Sequence, residues 1–286
     1  MNIKNISLLL IVLFISNTIT AQDFQGIAIY KSQRKLSIKL DSTQMDSDRH
    51  QDMMAMLQKQ FEKTYILSFN KEESIYKEDE KLEAPQPAGM QLMIVNTGGS
   101  DLLYKNTKEN RYTNQNESFS KLFLIKDILQ DHDWELSGET KFIGDYECRK
   151  ATTSRQVTVV QGGVSINGDK DLSENENEEP ELREQIVTAW YAPEIPINHG
   201  PSNYEGLPGL ILEVNDGTTT MICSKIIMNP SNKVSIVEPK KGQVLNQDEY
   251  DAIMEKKMRE MEEKMRDNWN GDGDGDGERM EIRIGG

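Results

Sequence analysis

A chain of 286 residues has the length of one or two domains, and its 33 Lys and Arg against 48 Asp and Glu give a net charge of −15. That sign excludes a surface built to hold nucleic-acid phosphates and disfavours adhesion to anionic lipid. Hydrophobic residues at 36% and charged residues at 28% supply one sizeable core but not apolar packing from end to end.

The N-terminus reads as an address. Lys4 precedes an apolar run over residues 6–15 broken only by Ser7, and Thr18-Ile19-Thr20-Ala21 closes it before Gln22. This is the layout of a secretory signal, too short to span a bilayer, so residues 1–21 are expected to be removed. Removing Lys4 takes the charge from −15 to −16. No later run is long enough to cross a membrane, and the expected product is exported, periplasmic or extracellular.

From residue 22 to 239 the pattern is mainly β. Residues 24–30 and 35–40 read as strands, the second with clear polar/apolar alternation. Residues 46–63 read as a helix, with Met53, Met56, Leu57, Gln60 and Phe61 at three- and four-residue steps. Strands are expected at 64–69, 73–76, 91–95, 102–106, 111–113, 121–129, 134–136, 146–152 and 156–160. Residues 167–184 carry eight acidic side chains against Lys170 and Arg183, and are expected to form a disordered acidic loop.

Residues 240–286 change character. Asn246 with Glu249 three residues on forms a capping box, and a helix is expected over 248–268. Tyr250, Met254, Met258, Met261, Met265 and Trp269 make one narrow apolar stripe between charged faces, so this helix must lay its seam on another surface. An Asp-Gly linker and a short strand at 280–284 follow. Asp272, Asp274 and Asp276 match half of a calcium loop, but Arg283 stands where a closing Glu is needed, so any Ca²⁺ binding would be weak.

No catalytic residue is nominated. The chain lacks a Gly-x-Ser-x-Gly elbow, a His-Glu-x-x-His pair and the phosphate- and dinucleotide-binding glycine motifs, and His50, His132 and His199 lie far apart. No cofactor is expected beyond that weak Ca²⁺. Cys148 and Cys223 are candidates for a disulfide in an oxidising compartment, or else two buried inert thiols.

The densest segment is 189–214, where four prolines and three glycines fix the path of a strand-loop-strand unit. Trp190, Tyr191, Pro193, Pro196, Tyr204, Leu207, Pro208 and Leu210 are its candidate ligand- or partner-binding positions, since rigid loops on a scaffold commonly carry binding. Gly206-Leu207-Pro208-Gly209-Leu210-Ile211, with Ala189-Trp190-Tyr191, Pro193-Glu194-Ile195-Pro196-Ile197 and residues 144–151, resembles the GLPGLI family of exported bacterial proteins, over the chain to about Val237. That resemblance implies an uncharacterised protein of a Gram-negative envelope and no particular activity.

The expected architecture is α+β: a curved antiparallel sheet or half-barrel over a helix, resembling periplasmic lipoprotein carriers in element order, plus the C-terminal amphipathic helix. A two-sheet β-sandwich is the alternative. The leading functional expectation is a non-enzymatic envelope binding protein for an apolar or peptide ligand. An accessory protein of an outer-membrane complex is second, and a hydrolase whose site joins His132 or His199 to Cys148 or a serine is third.

Overall fold

The computed structural model describes residues 24–35, 62–79, 102–159, 165–166, 181–271 and 280–281. Its strands are β1 (Gln25–Arg34), β2 (Glu62–Asn70), β3 (Glu73–Glu78), β4 (Leu102–Asn106), β5 (Arg111–Ser118), β6 (Lys121–Ile128), β7 (Glu135–Ile143) and β8 (Tyr146–Val159). They continue as β9 (Ser165–Ile166), β10 (Glu181–Ala192), β11 (Leu210–Asn215), β12 (Thr219–Met228), β13 (Gln243–Leu245) and β14 (Met280–Glu281), with one helix, α1 (Gln247–Gly271). Twelve strands join in a single sheet of order β13-β6-β5-β4-β3-β2-β1-β12-β11-β10-β8-β7, and β9 pairs with β14 apart from it.

Period-two burial begins in β1, where Gly26, Ala28 and Tyr30 are buried, Gln25, Ile27 and Ile29 are half-buried and Lys31 is exposed. Register carries that face sideways: Ala28 lies beside Leu67, Leu67 beside Tyr76, and Tyr76 beside Leu103. Beyond β1 the other wing contributes Leu210, Leu212, Cys148, Ala192 and Cys223 to the same core cluster. Irregular register between Ile29 and Tyr30, and between Trp190 and Tyr191, marks bulges, which bend and twist the strands that carry them. Both wings of one sheet therefore close on a common core, and the Tyr30 hydroxyl in β1 donates to the carbonyl of Ile211 in β11 at 2.7 Å. β11 is buried at Leu210, Ile211, Leu212 and Val214, because a second cluster with Tyr191, Tyr204 and Leu207 covers its other face.

Three expectations are corrected. The α+β half-barrel over a helix gives way to a mostly β protein, in which α1 is the only helix among the described residues. The sheet is mixed rather than antiparallel, because β13 runs parallel to β6. The β-sandwich alternative fails too: the two wings are hydrogen-bonded through β1, so the bend of one sheet does what two facing sheets would do. Of the expected helix at 46–63, Glu62 and Lys63 are in β2, paired with Gln33 and Ser32 of β1; its remainder lies outside the described residues. So do residues 1–21, most of the 35–40 strand, the 91–95 strand, the acidic segment 167–180, and Asp272, Asp274 and Asp276. The last residues of the expected acidic loop are strand, with Glu181 beside Val159 and Glu184 beside Gln156.

Helix α1 begins with the expected box: Asn246 accepts from the Glu249 amide at 2.9 Å and Glu249 from the Asn246 amide at 3.0 Å. Its first two turns lie on β5 and β6. Tyr250 is 6% exposed against Phe123, Ile125 and Leu245, with Ile253 and Met254 beside it. The Tyr250 hydroxyl meets Asn116 Oδ1 at 2.9 Å and Ser118 Oγ at 3.0 Å. Tyr112 donates to Gln247 Oε1 at 2.9 Å, and Asp127 accepts from the Gln247 amide at 3.1 Å. The first part of the helix seam, at Tyr250 and Met254, is thus laid on the chain's own sheet.

Deleting a buried aromatic side chain costs about 3–5 kcal/mol, and a neutral hydrogen bond about 1 kcal/mol. Tyr250→Ala is therefore expected to lower unfolding free energy by about 3 kcal/mol or more in urea, and Tyr250→Phe by about 1 kcal/mol.

Candidate functional site

Leu103 and Lys105 alternate on β4 toward the same face, so the fold drives a lysine into the interior beside its leucine. Lys105 is 1% exposed. An ammonium there is tolerable only when surrounded by acceptors. The loop of residues 193–209 supplies them: the carbonyls of Gly200, Ser202 and Tyr204 at 3.2, 2.7 and 3.1 Å, and Glu205 Oε2 at 2.9 Å. This one side chain clamps the loop between β10 and β11 onto the far wing of the sheet.

The loop is also knit within itself and to its flanks. Leu210 donates to the Ile195 carbonyl at 2.9 Å, Ile211 to His199 at 3.0 Å and Gly206 to Asn198 at 3.0 Å. Two glycines of the Gly-Leu-Pro-Gly-Leu-Ile motif have specific duties here. Gly206 holds φ at +91°, and a Cβ on Gly209 would lie 2.4 Å from the Ala192 carbonyl oxygen. Trp134 donates through Nε1 to the Glu205 carbonyl at 2.8 Å, and His132 donates from Nε2 to the Asn203 carbonyl at 2.8 Å. The second Glu205 oxygen is 3.7 Å from His132 Nε2.

Electrostatics follow from this packing. Burial works against the Glu205 charge, but the Lys105 ammonium and the hydrogen bonds around it win and hold the carboxyl below its usual range. His199 is fully buried, and burial, helped by the Lys105 charge, pushes its imidazole down to about 3. Neither ring nitrogen has a hydrogen-bond partner among the described residues, although the Asn70 main chain lies close by. His199 is therefore neutral at any ordinary pH. Burial also pushes the thiols of Cys148 and Cys223 up to about 11 each; both stand as free thiols in the core, far from the thiolate a nucleophile needs.

Two cavities border the clamped loop. The smaller, of about 80 Å³, lies among His132, Asp133, Thr153, Arg155 and Tyr204. The larger is an open cleft of about 270 Å³ beside it, lined by Tyr65, Tyr76, Tyr204, Arg155, Asp216 and Met221 with smaller polar residues. Tyr65 and Tyr76 stack at 4.8 Å with an 11° tilt, and Tyr30 meets Tyr76 edge-on. Asp216 Oδ1 accepts from the amides of Thr218 and Thr219 at 3.0 and 2.6 Å, and Oδ2 lies 3.4 Å from an Arg155 nitrogen.

The eight expected binding positions divide by depth. Tyr191, Tyr204, Leu207 and Leu210 are buried, Trp190 and Pro193 are half-buried, and Pro196 and Pro208 are exposed. The Lys141 ammonium sits 4.4 Å over the Trp190 ring. Of the eight, Tyr204 lines both cavities and the other seven line neither. His132 and His199 approach Glu205, but neither ring is hydrogen-bonded to Cys148 or to a serine hydroxyl among the described residues; Cys148 donates to the Tyr146 carbonyl instead. Sequence reasoning missed Lys105, Arg155, Tyr65 and Tyr76. A lysine in phase with Leu103 was the one available signal, whereas nothing local marked Arg155. No group of metal-ligating side chains occurs among the described residues, and no described helix is long and apolar enough to cross a membrane.

Fold and site together define a β-sheet protein whose central loop is fastened by a buried ion pair. Residues 134–213 match a family described as "Protein of unknown function (Porph_ging)". That stretch holds β7, β8, β10, the whole clamped loop and the start of β11, but not Lys105 or His132. No curated protein matches the chain. Two solved structures of PNGF-II, in C2 and P21 space groups, are 13% and 12% identical with a TM-score of 0.45 each. They cover 80% of this chain but 32% of their own, so the chain spans about a third of that protein, and the likeness is too weak to assign a shared fold.

Two predictions follow from the clamp. Removing one partner of a buried ion pair costs about 3–5 kcal/mol, so Lys105→Met should lower stability by that amount in urea, and adding Glu205→Gln should restore part of it. Acid should also weaken the fold. Below about 6.5 the unfolded chain protonates His199, which the folded chain resists until about 3, and lower still it protonates Glu205 ahead of the fold. Stability is fullest near neutrality, and the His199 share of the loss is about 3 kcal/mol by about pH 4. His199→Leu should flatten that slope in urea titrations across the same window.

Proposed function

We propose that the protein is an exported, non-enzymatic binding protein of the cell envelope, with its ligand seated in the cleft beside the clamped loop. The signal-like N-terminus and the GLPGLI-type resemblance support export. One observation carries the binding reading: an open cleft of about 270 Å³ lined both by a stacked tyrosine pair and by an oriented Arg155–Asp216 pair. Ligand sites are concave, part apolar, and fixed by a few placed polar groups, as here. The lining favours a ligand with polar groups and a flat apolar face over a wholly apolar one. The clamp's part is preorganisation: it holds Ser202, Asn203 and Tyr204 at the cleft wall before any ligand arrives, which spares ordering cost on binding.

The raised thiol pKa values favour binding over hydrolysis, as does the lack, among the described residues, of a hydroxyl or thiol hydrogen-bonded to the ring of either histidine. Native mass spectrometry of the full chain purified from an envelope fraction tests the reading. A population with non-covalently bound mass is expected, and it should disappear in Arg155→Ala. Wild-type protein that is repeatedly empty from that source and also binds no ligand in titration overturns it.

A further inference from the structure

We infer that the cleft takes a saccharide of one or two rings; this rests on the binding reading above and names the ligand class. The aromatic surface comes from half-buried Tyr65, backed by buried Tyr76 stacked on it at 4.8 Å, while Tyr204 of the clamped loop, also buried, contributes only its edge. A sugar ring has a flat face of C–H bonds that packs on aromatic carbon, while its edge carries hydroxyls that are both donors and acceptors.

Polar groups that line the same cleft match that edge. Asp216 is fixed through Oδ1 by two backbone amides, and its Oδ2 is left facing Arg155 at 3.4 Å, longer than a tight charge-assisted bond. Arg155 is itself oriented by Nε donating to Gln185 Oε1 at 2.7 Å. A rigid acceptor therefore stands beside a rigid fork of donors. Neighbouring hydroxyls on one ring can donate to the first and accept from the second at the same time. Asn203 and Ser32 add further groups of both kinds.

Other ligand classes fit the lining less well. The cleft lies on the face of β1, β2, β3 and β12, whose main-chain groups are spent on neighbouring strands, so an extended peptide finds no ladder to join. An anion would meet Asp216 beside the arginine. A wholly apolar ligand would strip water from Arg155, Asp216 and Asn203 with nothing in return. The volume of about 270 Å³ falls just below the usual range of ligand sites, about 300–1,000 Å³, which limits the occupant to one or two rings.

Isothermal titration of the full chain separates these classes. The probes are cello-, malto-, chito- and manno-oligosaccharides of two to six units, with a mixture of tetrapeptides as the other arm. At least one saccharide series should bind saturably, and Asp216→Asn and Arg155→Lys should each weaken it about tenfold or more. Both variants should keep the wild-type melting temperature, and Tyr65→Leu supplies an independent test of the aromatic surface. Tetrapeptide binding, or a bound mass in native spectra with no saccharide binding up to about ten millimolar, overturns the saccharide assignment and leaves the binding reading intact. Empty native spectra together with silent titrations overturn both.

Discussion

Lys105 is where the two wings of the sheet are obliged to agree. A lysine in phase with Leu103 on a core-facing strand would be a large cost if it met only hydrocarbon, since an uncompensated buried charge is worse than any packing fault. Its four acceptors all come from residues 200–205, a segment that belongs to the other wing. The strand therefore cannot be buried favourably unless the loop is in place. The loop, in turn, turns three carbonyls toward one point only because that point is charged. Such a pair is poor evidence of net stability, but it selects one arrangement strongly over near neighbours.

This dependence gives the glycine-proline motif a different reading from the one its composition suggests. Aromatic and apolar residues bracketed by prolines fit a rigid structural corner as well as a binding surface. In the fold most of them face inward: Leu207, Tyr204 and Ile211 form a cluster with Val187, Ala189 and Val214 on one side of β11, and Leu210 joins the main core on the other. The motif is a way to thread chain closely through a crowded place. Its contribution to any site is indirect, through where it holds Tyr204 and Asn203.

Legibility in the sequence followed a simple division. Where a short apolar run buries consecutive residues between polar turns, as in β4 and β6, expected and observed strands agree nearly to the residue. The strand-loop-strand unit ending in Leu210 was plain from its prolines. Strands whose identity comes from their neighbours were not. Thr153, Ser154 and Arg155 looked like a break between two short strands, yet they pair continuously with Val187, Ile186 and Gln185 of β10. Glu181 and Glu184 looked like loop for the same reason, being charged, and are strand because Val159 and Gln156 hold them. The cleft was illegible because its members come from β1, β2, β3, β8, β12, the β11–β12 turn and the clamped loop, and meet only through the bend of the sheet.

The pairing of β1 with β12 sets the order in which the molecule can be made. Gly26 lies beside Met228, so the central ladder joins segments separated by most of the chain. Closing a loop of that length carries a chain-entropy cost of about 5 kcal/mol before any of the shared core repays it. A nascent chain leaving the ribosome cannot complete this sheet until its last third exists, and topologies of this kind fold slowly. Lys105 meets the same delay, since its acceptors follow nearly a hundred residues later. The topology thus leaves an interval in which the chain is complete enough to be handed on but not yet committed to a fold, the state in which a polypeptide can still be threaded through a narrow channel.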